Sequence, residues 1–419
     1  MSFEELRKDI YGIKDEKPKN FWEEKGRCPL LMKKLYHQYE KGEVPMEDTI
    51  SMKFSKKQAQ SKSPIHMLIA SKTGRQKTRI AKNIMKMLYK LDYKILYFEP
   101  KSFEVINGKH VGKGIRLAQY DKNEKLPIVS YTPSAYYNFL KRIGDEKILK
   151  STTFYSLDIK QLDFVEIWVS FGVPEKAAPI VVTCIEKGVT DIDKIISTVY
   201  LSKAHMSTKN ATDNVLSNLK NNNVFDKKFK PLDLKKEWDK GNIVVINYWG
   251  RQGKYMNTDI GFLTSAVKTI GQKETMQGLD KVSDKFIFYD DAFMYAGSMA
   301  YNFAKADINY AVNEMGNAQY NYRTFGVNTC IIIQNLDAGS IMPTLVDGRE
   351  EFLIGRTGSS EILRNLIPFQ AYFLAVNQNE LKGRTLYEDK ENHYFEWIYV
   401  NGNGDSVTGF PFDCTIGHS

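Results

Sequence analysis

Between Ile65 and Glu99 the chain runs through a short apolar stretch, a polar turn, an amphipathic stretch and a second apolar stretch, and few folds accommodate that order. Met67 to Ala70 reads as a strand. SKTGRQKT follows as a turn centred on Gly74, and Lys77 and Thr78 open a segment with apolar residues at Ile80, Ile84, Met87, Leu88 and Leu91. That spacing places them on one face of a helix. Ile95 to Phe98 is a second strand. Strand, turn, helix and strand form the unit in which backbone N–H groups and a helix N-terminus hold an anion.

The usual phosphate-cradling pattern is G-x-x-x-x-G-K-[ST]. Here Ser71 stands at the first glycine and Gln76 at the second, while Lys77 and Thr78 keep their places. Lys77 is placed to reach the β- and γ-phosphates of ATP, and the Thr78 hydroxyl to ligate Mg²⁺. A basic turn on an ordinary β-α unit is the simpler alternative. Glycine lets a backbone approach phosphate with no Cβ in the way, so Gln76 is expected to loosen or reshape the cradle.

Charge favours the anion. From Met52 to Lys94 the chain carries twelve Lys and Arg residues against one acid, Asp92, within a net formal charge of +9. A solvated helix face normally interleaves acids, so a nearby polyanion, nucleotide or nucleic acid, is the better account. The four cysteines are scattered and the six histidines show no ligand spacing. A reduced, cytoplasmic chain without a zinc site is expected. No apolar run reaches membrane-spanning length, and with charged first residues no signal peptide is expected.

Read in order, residues 1–62 form a polar, helix-prone arm and a Ser/Lys/Gln-rich linker. Residues 63–133 hold the first part of the core, with 101–126 loop-like. Residues 134–240 read as an inserted helical subdomain. The core resumes over 241–385, and 386–419 is a tail. Asn242 to Tyr248 is a strand of the kind buried on both faces. It is followed by a GRQGKYMN turn and a helix near Asp259 to Ile270. Lys285 to Tyr289, Thr329 to Ile333 and Glu351 to Gly355 are further strands.

In open α/β sheets ligands lie beyond the carboxyl ends of the strands. Five strands here end in polar residues: Ser71 and Lys72, Glu99, Asp290 and Asp291, Gln334, and Arg356. A Mg²⁺–nucleotide needs one carboxylate in the metal's shell and a second to orient and deprotonate the attacking water. Asp290 suits the first role and Asp291 the second.

With these elements in place, the chain resembles the HerA/FtsK superfamily of DNA-pumping ATPases over about residues 64–385. SKTGRQKT is similar to the family's G-x-T-G-x-G-K-[ST], keeping Thr73, Gly74, Lys77 and Thr78 and differing at Ser71 and Gln76; Lys72 and Arg75 complete the loop. ILYFEPK resembles its second strand, with Glu99 in place of an aspartate. FIFYDD resembles its Walker B strand, with Asp291 where glutamate is usual. NYRTFGVNTCIIIQ resembles the segment ending in the sensor glutamine, Gln334, and EFLIGRTG the following strand and its arginine. The resemblance implies an α/β fold: a RecA-like P-loop NTPase core with a mostly parallel sheet, carrying the inserted helical subdomain. It implies a homo-oligomeric ring, a hexamer, around duplex DNA, with ATP and Mg²⁺ at subunit interfaces. It also implies Arg323 or Arg356 as an arginine finger or cis sensor, and a viral or mobile-element member lacking the family's N-terminal barrel.

Three functions are open: a motor that moves or packages DNA, a degenerate nucleotide-binding or scaffold subunit, and another P-loop activity such as a secretion-type ATPase. For a motor, Arg251 and Lys254, beside Trp249 and Tyr255, are the expected DNA contacts.

Overall fold

The apolar runs of the core become strands because each is flanked by turn-forming residues and is buried on both faces. The computed structural model describes residues 31–35, 46–51, 64–100, 103–106, 109–112, 126–143, 146–249, 254–277, 284–296, 310–334, 345, 349, 351–358, 361–366, 388–389, 394–395, 397–400 and 406–411. In chain order the elements are β1 (Leu31–Leu35), β2 (Met46–Ser51), β3 (His66–Ala70), α1 (Lys77–Lys90), β4 (Lys94–Glu99), β5 (Phe103–Ile106), β6 (Lys109–Gly112) and β7 (Ile128–Pro133). Then come α2 (Tyr137–Ile143), α3 (Glu146–Ser151), β8 (Thr153–Tyr155), α4 (Val165–Phe171), α5 (Ala178–Glu186), α6 (Ile192–Leu201), α7 (Met206–Asn221) and α8 (Leu234–Asp239). The chain returns to the sheet with β9 (Ile243–Asn247), α9 (Lys254–Met276), β10 (Lys285–Tyr289), α10 (Phe293–Ala296), α11 (Tyr310–Tyr320), β11 (Val327–Ile333) and β12 (Glu351–Ile354). It ends with α12 (Glu361–Leu366), β13 (Glu388–Asp389), β14 (Tyr394–Phe395), β15 (Trp397–Val400) and β16 (Ser406–Pro411).

The main sheet runs β2-β1-β16-β15-β12-β3-β11-β10-β4-β9-β7-β8. From β12 to β8 every neighbouring pair is parallel. All eight of those strands therefore deliver their carboxyl ends to one edge. Residues alternate between two cores, as the period of two requires. Met67, Ile69, Tyr97, Phe286, Phe288, Cys330 and Ile332 face α1, where Ile80, Ile84, Met85 and Leu88 cover them. Leu68, Phe98, Ile246, Ile287, Tyr289 and Ile331 face α4, α9 and α11 on the other side. At the amino edge Lys285, itself buried, lies 2.6 Å from Glu274 and 2.8 Å from Asp284, and Lys94 reaches the same two acids at 3.1 Å. This cluster ties the end of α9 to β4 and β10.

Several expectations are corrected. The described parts of the helix-prone arm are strands: β1 pairs with β2 and with β16, all antiparallel. The expected tail contributes β15 and β16, which extend the sheet from β12. Two segments remote in sequence thus complete one antiparallel wing, which no local pattern announces. The loop-like 101–126 contains β5 and β6, paired antiparallel. The sequence between them is Asn-Gly, a strong hairpin signal. The helical stretch 134–240 includes a strand, β8. The helix after β9 starts at Lys254 rather than near Asp259. Asp259 is instead fully buried within α9, accepting hydrogen bonds from Tyr155 Oη at 2.5 Å and Tyr248 Oη at 2.8 Å. Burial pushes its carboxyl up to about 7, against the pull of the two tyrosine hydroxyls. Among the described residues no helix is long and apolar enough to cross a membrane.

Candidate active site

Ala70 ends β3 at the carboxyl edge, and its carbonyl accepts from Gly355 N at 2.8 Å. Ser71 then turns into the space beside β12: its Oγ donates to Arg356 O at 3.1 Å, and Lys72 N donates to the same carbonyl at 2.9 Å. The serine has room only because position 355 is glycine, where a Cβ would stand 2.5 Å from Ser71 Oγ. The departure from the expected glycine at 71 is thus matched on the neighbouring strand.

Gly74 has φ of 81° and Gln76 φ of 60°. Both lie in the left-handed region, open to glycine and costing other residues about 1–2 kcal/mol. Gln76 therefore takes up a glycine's backbone while carrying a Cβ. Its carbonyl accepts from Ile80 N at 3.0 Å, so it caps the start of α1. The first turn of α1 has no acid, leaving the positive end of the helix available to an anion. Lys77 is buried, with Nζ donating to Lys72 O at 3.0 Å across the loop. Arg75 lies over the Phe395 ring at 5.4 Å.

The carboxylates stand two strands away, on β10, with β11 between. Strand alternation carries Asp290 onto the face covered by α1, as for Phe286 and Phe288. Asp290 is buried; Tyr97 Oη donates to its Oδ2 at 3.0 Å and Asp291 N to its Oδ1 at 2.9 Å. Burial first, and then the adjacent Asp291 charge, push its carboxyl up to about 6, opposed by Tyr97, the Asp291 N–H and Lys82. A cation beside it would reverse that shift. Asp291 has φ of 44°, a left-handed conformation that aspartate tolerates better than most residues. A chain of hydrogen bonds links it to the cradle. Thr73 Oγ1 donates to Gln334 Oε1 at 2.9 Å, and Gln334 Nε2 donates to Asp291 Oδ1 at 2.9 Å.

Glu99 is buried at the end of β4, next in the sheet to β10. Arg356 follows β12, beside the cradle. Arg323 lies in the 3-10 turn Tyr322–Phe325 at the amino end of β11. The length of β11, roughly 20 Å, separates it from its own carboxyl edge. Tyr322 anchors that turn, donating to Glu314 Oε2 with Lys268 5.0 Å over its ring. Arg251 lies outside the described residues, and Lys254 is placed by its backbone alone, as the first residue of α9. The aromatics expected beside them turn inward. Trp249 Nε1 donates to Thr132 Oγ1 at 3.0 Å, and Tyr255 packs against Tyr136 and Phe171.

Sequence reasoning missed Tyr97 and Gly355. Tyr97 lies two residues before Glu99, on the same strand face, so the period of two could have found it. Gly355 gives no signal without the β3–β12 pairing. Among the described residues no three His, Cys, Asp or Glu side chains converge as a metal cluster. Thr78 and Asp290 carry oxygen donors of the kind a hard cation takes.

The parallel sheet, the cradle between β3 and α1, and the acids at the end of the second strand over define a RecA-like P-loop core. Among solved structures the chain is similar to VirB4 of Thermoanaerobacter pseudethanolicus, with a TM-score of 0.55 and 11% identity over 91% of this chain and 96% of that one. It is also similar to the bacterial conjugative coupling protein TrwB, with a TM-score of 0.48 and 9% identity over 92% of this chain and 100% of that one. The genome packaging NTPase of Sulfolobus turreted icosahedral virus 2, in complex with AMPPCP, gives 0.36 and 9% over 84% and 100%. The VirB4 likeness establishes the fold, and the two lower scores add nothing to it. No protein-family model matches the chain, and no curated protein matches it by sequence.

One prediction follows from Gln76. Gln76→Gly removes the left-handed strain of about 1–2 kcal/mol and the Cβ at the closest approach to phosphate, against a chain-entropy cost of about 0.5–1 kcal/mol. The dissociation constant for an ATP analogue is expected to fall or stay level, read by fluorescence titration. A marked loss of binding would show that the glutamine itself contacts the nucleotide.

Proposed function

We propose that this protein is an ATP-dependent DNA translocase of HerA/FtsK type, acting in the cytoplasm as a homo-oligomeric ring on duplex DNA. The observation that carries the reading is the Thr73–Gln334–Asp291 hydrogen-bond chain, which joins the phosphate cradle to a second carboxylate poised beside Asp290. A structural β-α turn has no need of such a connection. ATP with Mg²⁺, when bound, supplies the phosphoanhydride and the charge neutralisation that its cleavage requires. The cradle amides and Lys77 bind the phosphates, and Thr78 and Asp290 hold the metal's protein side. Asp291 orients a water and accepts its proton. Gln334 fixes Asp291 and reports on the cradle through Thr73. Arg356, beside the cradle, neutralises developing charge in cis. Arg323, at the opposite edge of the sheet, serves a neighbouring subunit's nucleotide.

Mixing tests the arrangement. Arg323→Ala and Lys77→Ala, each inactive alone, are expected to recover part of the ATPase when combined, because mixed rings regain some intact interfaces. Full DNA-stimulated turnover by Arg323→Ala alone would remove the trans role. Arg251 and Lys254 are assigned to the DNA path. Replacing both with alanine is expected to weaken DNA binding at low salt, with basal turnover intact. The salt slope should fall by roughly 0.9 for each phosphate that is no longer neutralised. An unchanged slope takes them off the path.

Gln76 favours a second reading. A Cβ at the closest approach to phosphate suits a subunit that holds nucleotide without turning it over. In that case ATP binds, and neither DNA nor Gln76→Gly elicits hydrolysis.

A further inference from the structure

We infer that the corner of the sheet beyond β7 and β8 is a second binding surface for nucleic acid, separate from the nucleotide site. This deepens the translocase reading and rests on it for the identity of the polyanion. Three segments meet at that corner: the first turn of α2, the edge strand β8, and residues 226–230 ahead of α8. An aromatic triangle joins them, with ring centroids 5.4 Å apart for Tyr137 and Phe154, 5.3 Å for Tyr137 and Phe229, and 5.5 Å for Phe154 and Phe229. All three rings are only partly buried. The Lys228 ammonium sits 4.9 Å from the Tyr137 centroid and 5.6 Å from that of Phe229. Lys141 and Arg142 follow one turn along α2 from Tyr137, and Lys227 and Lys230 flank Lys228 and Phe229. All five cations are exposed.

The acids around this corner have partners other than the side chains of these five cations. Asp226 Oδ1 accepts from Lys228 N at 2.9 Å, and Asp233 caps α8 by accepting from Lys236 N at 3.0 Å. Glu237 holds Lys240 at 2.6 Å and Asn242 at 2.7 Å, Asp239 pairs with Lys235 at 2.8 Å, and Glu146 pairs with Lys150 at 3.1 Å. Among the described residues none of the five cations has an ion-pair partner. The surface is also held in place. Ser156 Oγ donates to Phe229 O at 2.6 Å, Ser134 Oγ to Asn223 O at 2.6 Å, and Asn138 Nδ2 to Asn221 O at 3.2 Å. The cations are therefore presented on a fixed base, which lowers the entropy lost when they meet a phosphate backbone. Five cations from two separate segments, none ion-paired with an acid among the described residues, suit a phosphate backbone. The sheet order puts six strand steps, roughly 29 Å, between β8 and the cradle on β3, so both sites can be filled together.

The test is fluorescence anisotropy of a labelled DNA duplex across a salt series. Two variants drawn from separate segments are used: Lys227→Ala/Lys228→Ala/Lys230→Ala and Lys141→Glu/Arg142→Glu. Each is expected to weaken binding at low salt at least tenfold and to lower the salt slope by about 1–3, with an unchanged thermal midpoint. Wild-type slopes in both variants, in a protein whose ATPase duplex DNA still stimulates, would overturn this surface and leave the translocase reading standing. A wild-type protein that binds no duplex at low salt would overturn both. Loss of poly-glutamate binding with duplex binding retained would overturn the nucleic-acid assignment in favour of an acidic protein partner.

Discussion

Asp291→Asn is expected to lower ATP turnover by about 10²–10⁴-fold, the range for losing a positioned general base, while nucleotide binding stays within about twofold of wild type. The substitution isolates proton acceptance. Asparagine keeps an Oδ1 to accept from Gln334 Nε2, and it tolerates the left-handed backbone found at this position. The fold and the link to Thr73 should therefore survive. Phosphate release and equilibrium binding of a non-hydrolysable analogue, measured on the same preparation, separate the two effects. Turnover near the wild-type rate would mean that Asp291 only supports Gln334 and that the base lies elsewhere.

Arg349→Met is expected to destabilise the fold by about 2–6 kcal/mol, about 1–3 kcal/mol for each of two buried carbonyls that lose its donors. The guanidinium is buried against the sheet's parallel centre. Nε donates to Leu345 O at 2.6 Å, Nη1 to Met67 O at 2.6 Å and Thr329 Oγ1 at 3.3 Å, and Nη2 to Gln319 Oε1 at 3.3 Å. One side chain thus ties β3, β11 and α11 together. Burial pushes it down to about 10, so it is still charged at neutral pH. Methionine fills much of the volume but leaves the Leu345 and Met67 carbonyls without the arginine's donors, at about 1–3 kcal/mol for each that stays buried. Chemical denaturation should show a lower midpoint with the slope unchanged. A loss under about 1 kcal/mol would mean that water or a neighbour takes over the arginine's bonds.

Much of the parallel core is legible in the sequence because buried strands leave continuous apolar runs, and because ligands gather where such strands end. Position alone singles out Ser71, Glu99, Asp290, Gln334 and Arg356, and the all-parallel order from β12 to β8 puts them on one edge. Elements whose pairing is remote are not legible. β1 and β16 lie near opposite ends of the chain, so Leu31, Met32 and Leu35 look like a helix face until their partners are known. Lys254 reads as part of a turn because Gly253 precedes it and Asp259 resembles a helix cap. In the fold that carboxyl is bound by Tyr155 and Tyr248, a relation only the tertiary structure supplies. Arg349 sits in a polar stretch, LVDGREE, that gives no sign of burial.

The most direct test of the account is steady-state ATP turnover by the purified full-length protein, with and without duplex DNA, beside Lys77→Ala. The account predicts Mg²⁺-dependent hydrolysis that duplex DNA raises several-fold and that Lys77→Ala abolishes. Bound nucleotide with no hydrolysis under either condition, or turnover indifferent to both DNA and Lys77, would contradict it.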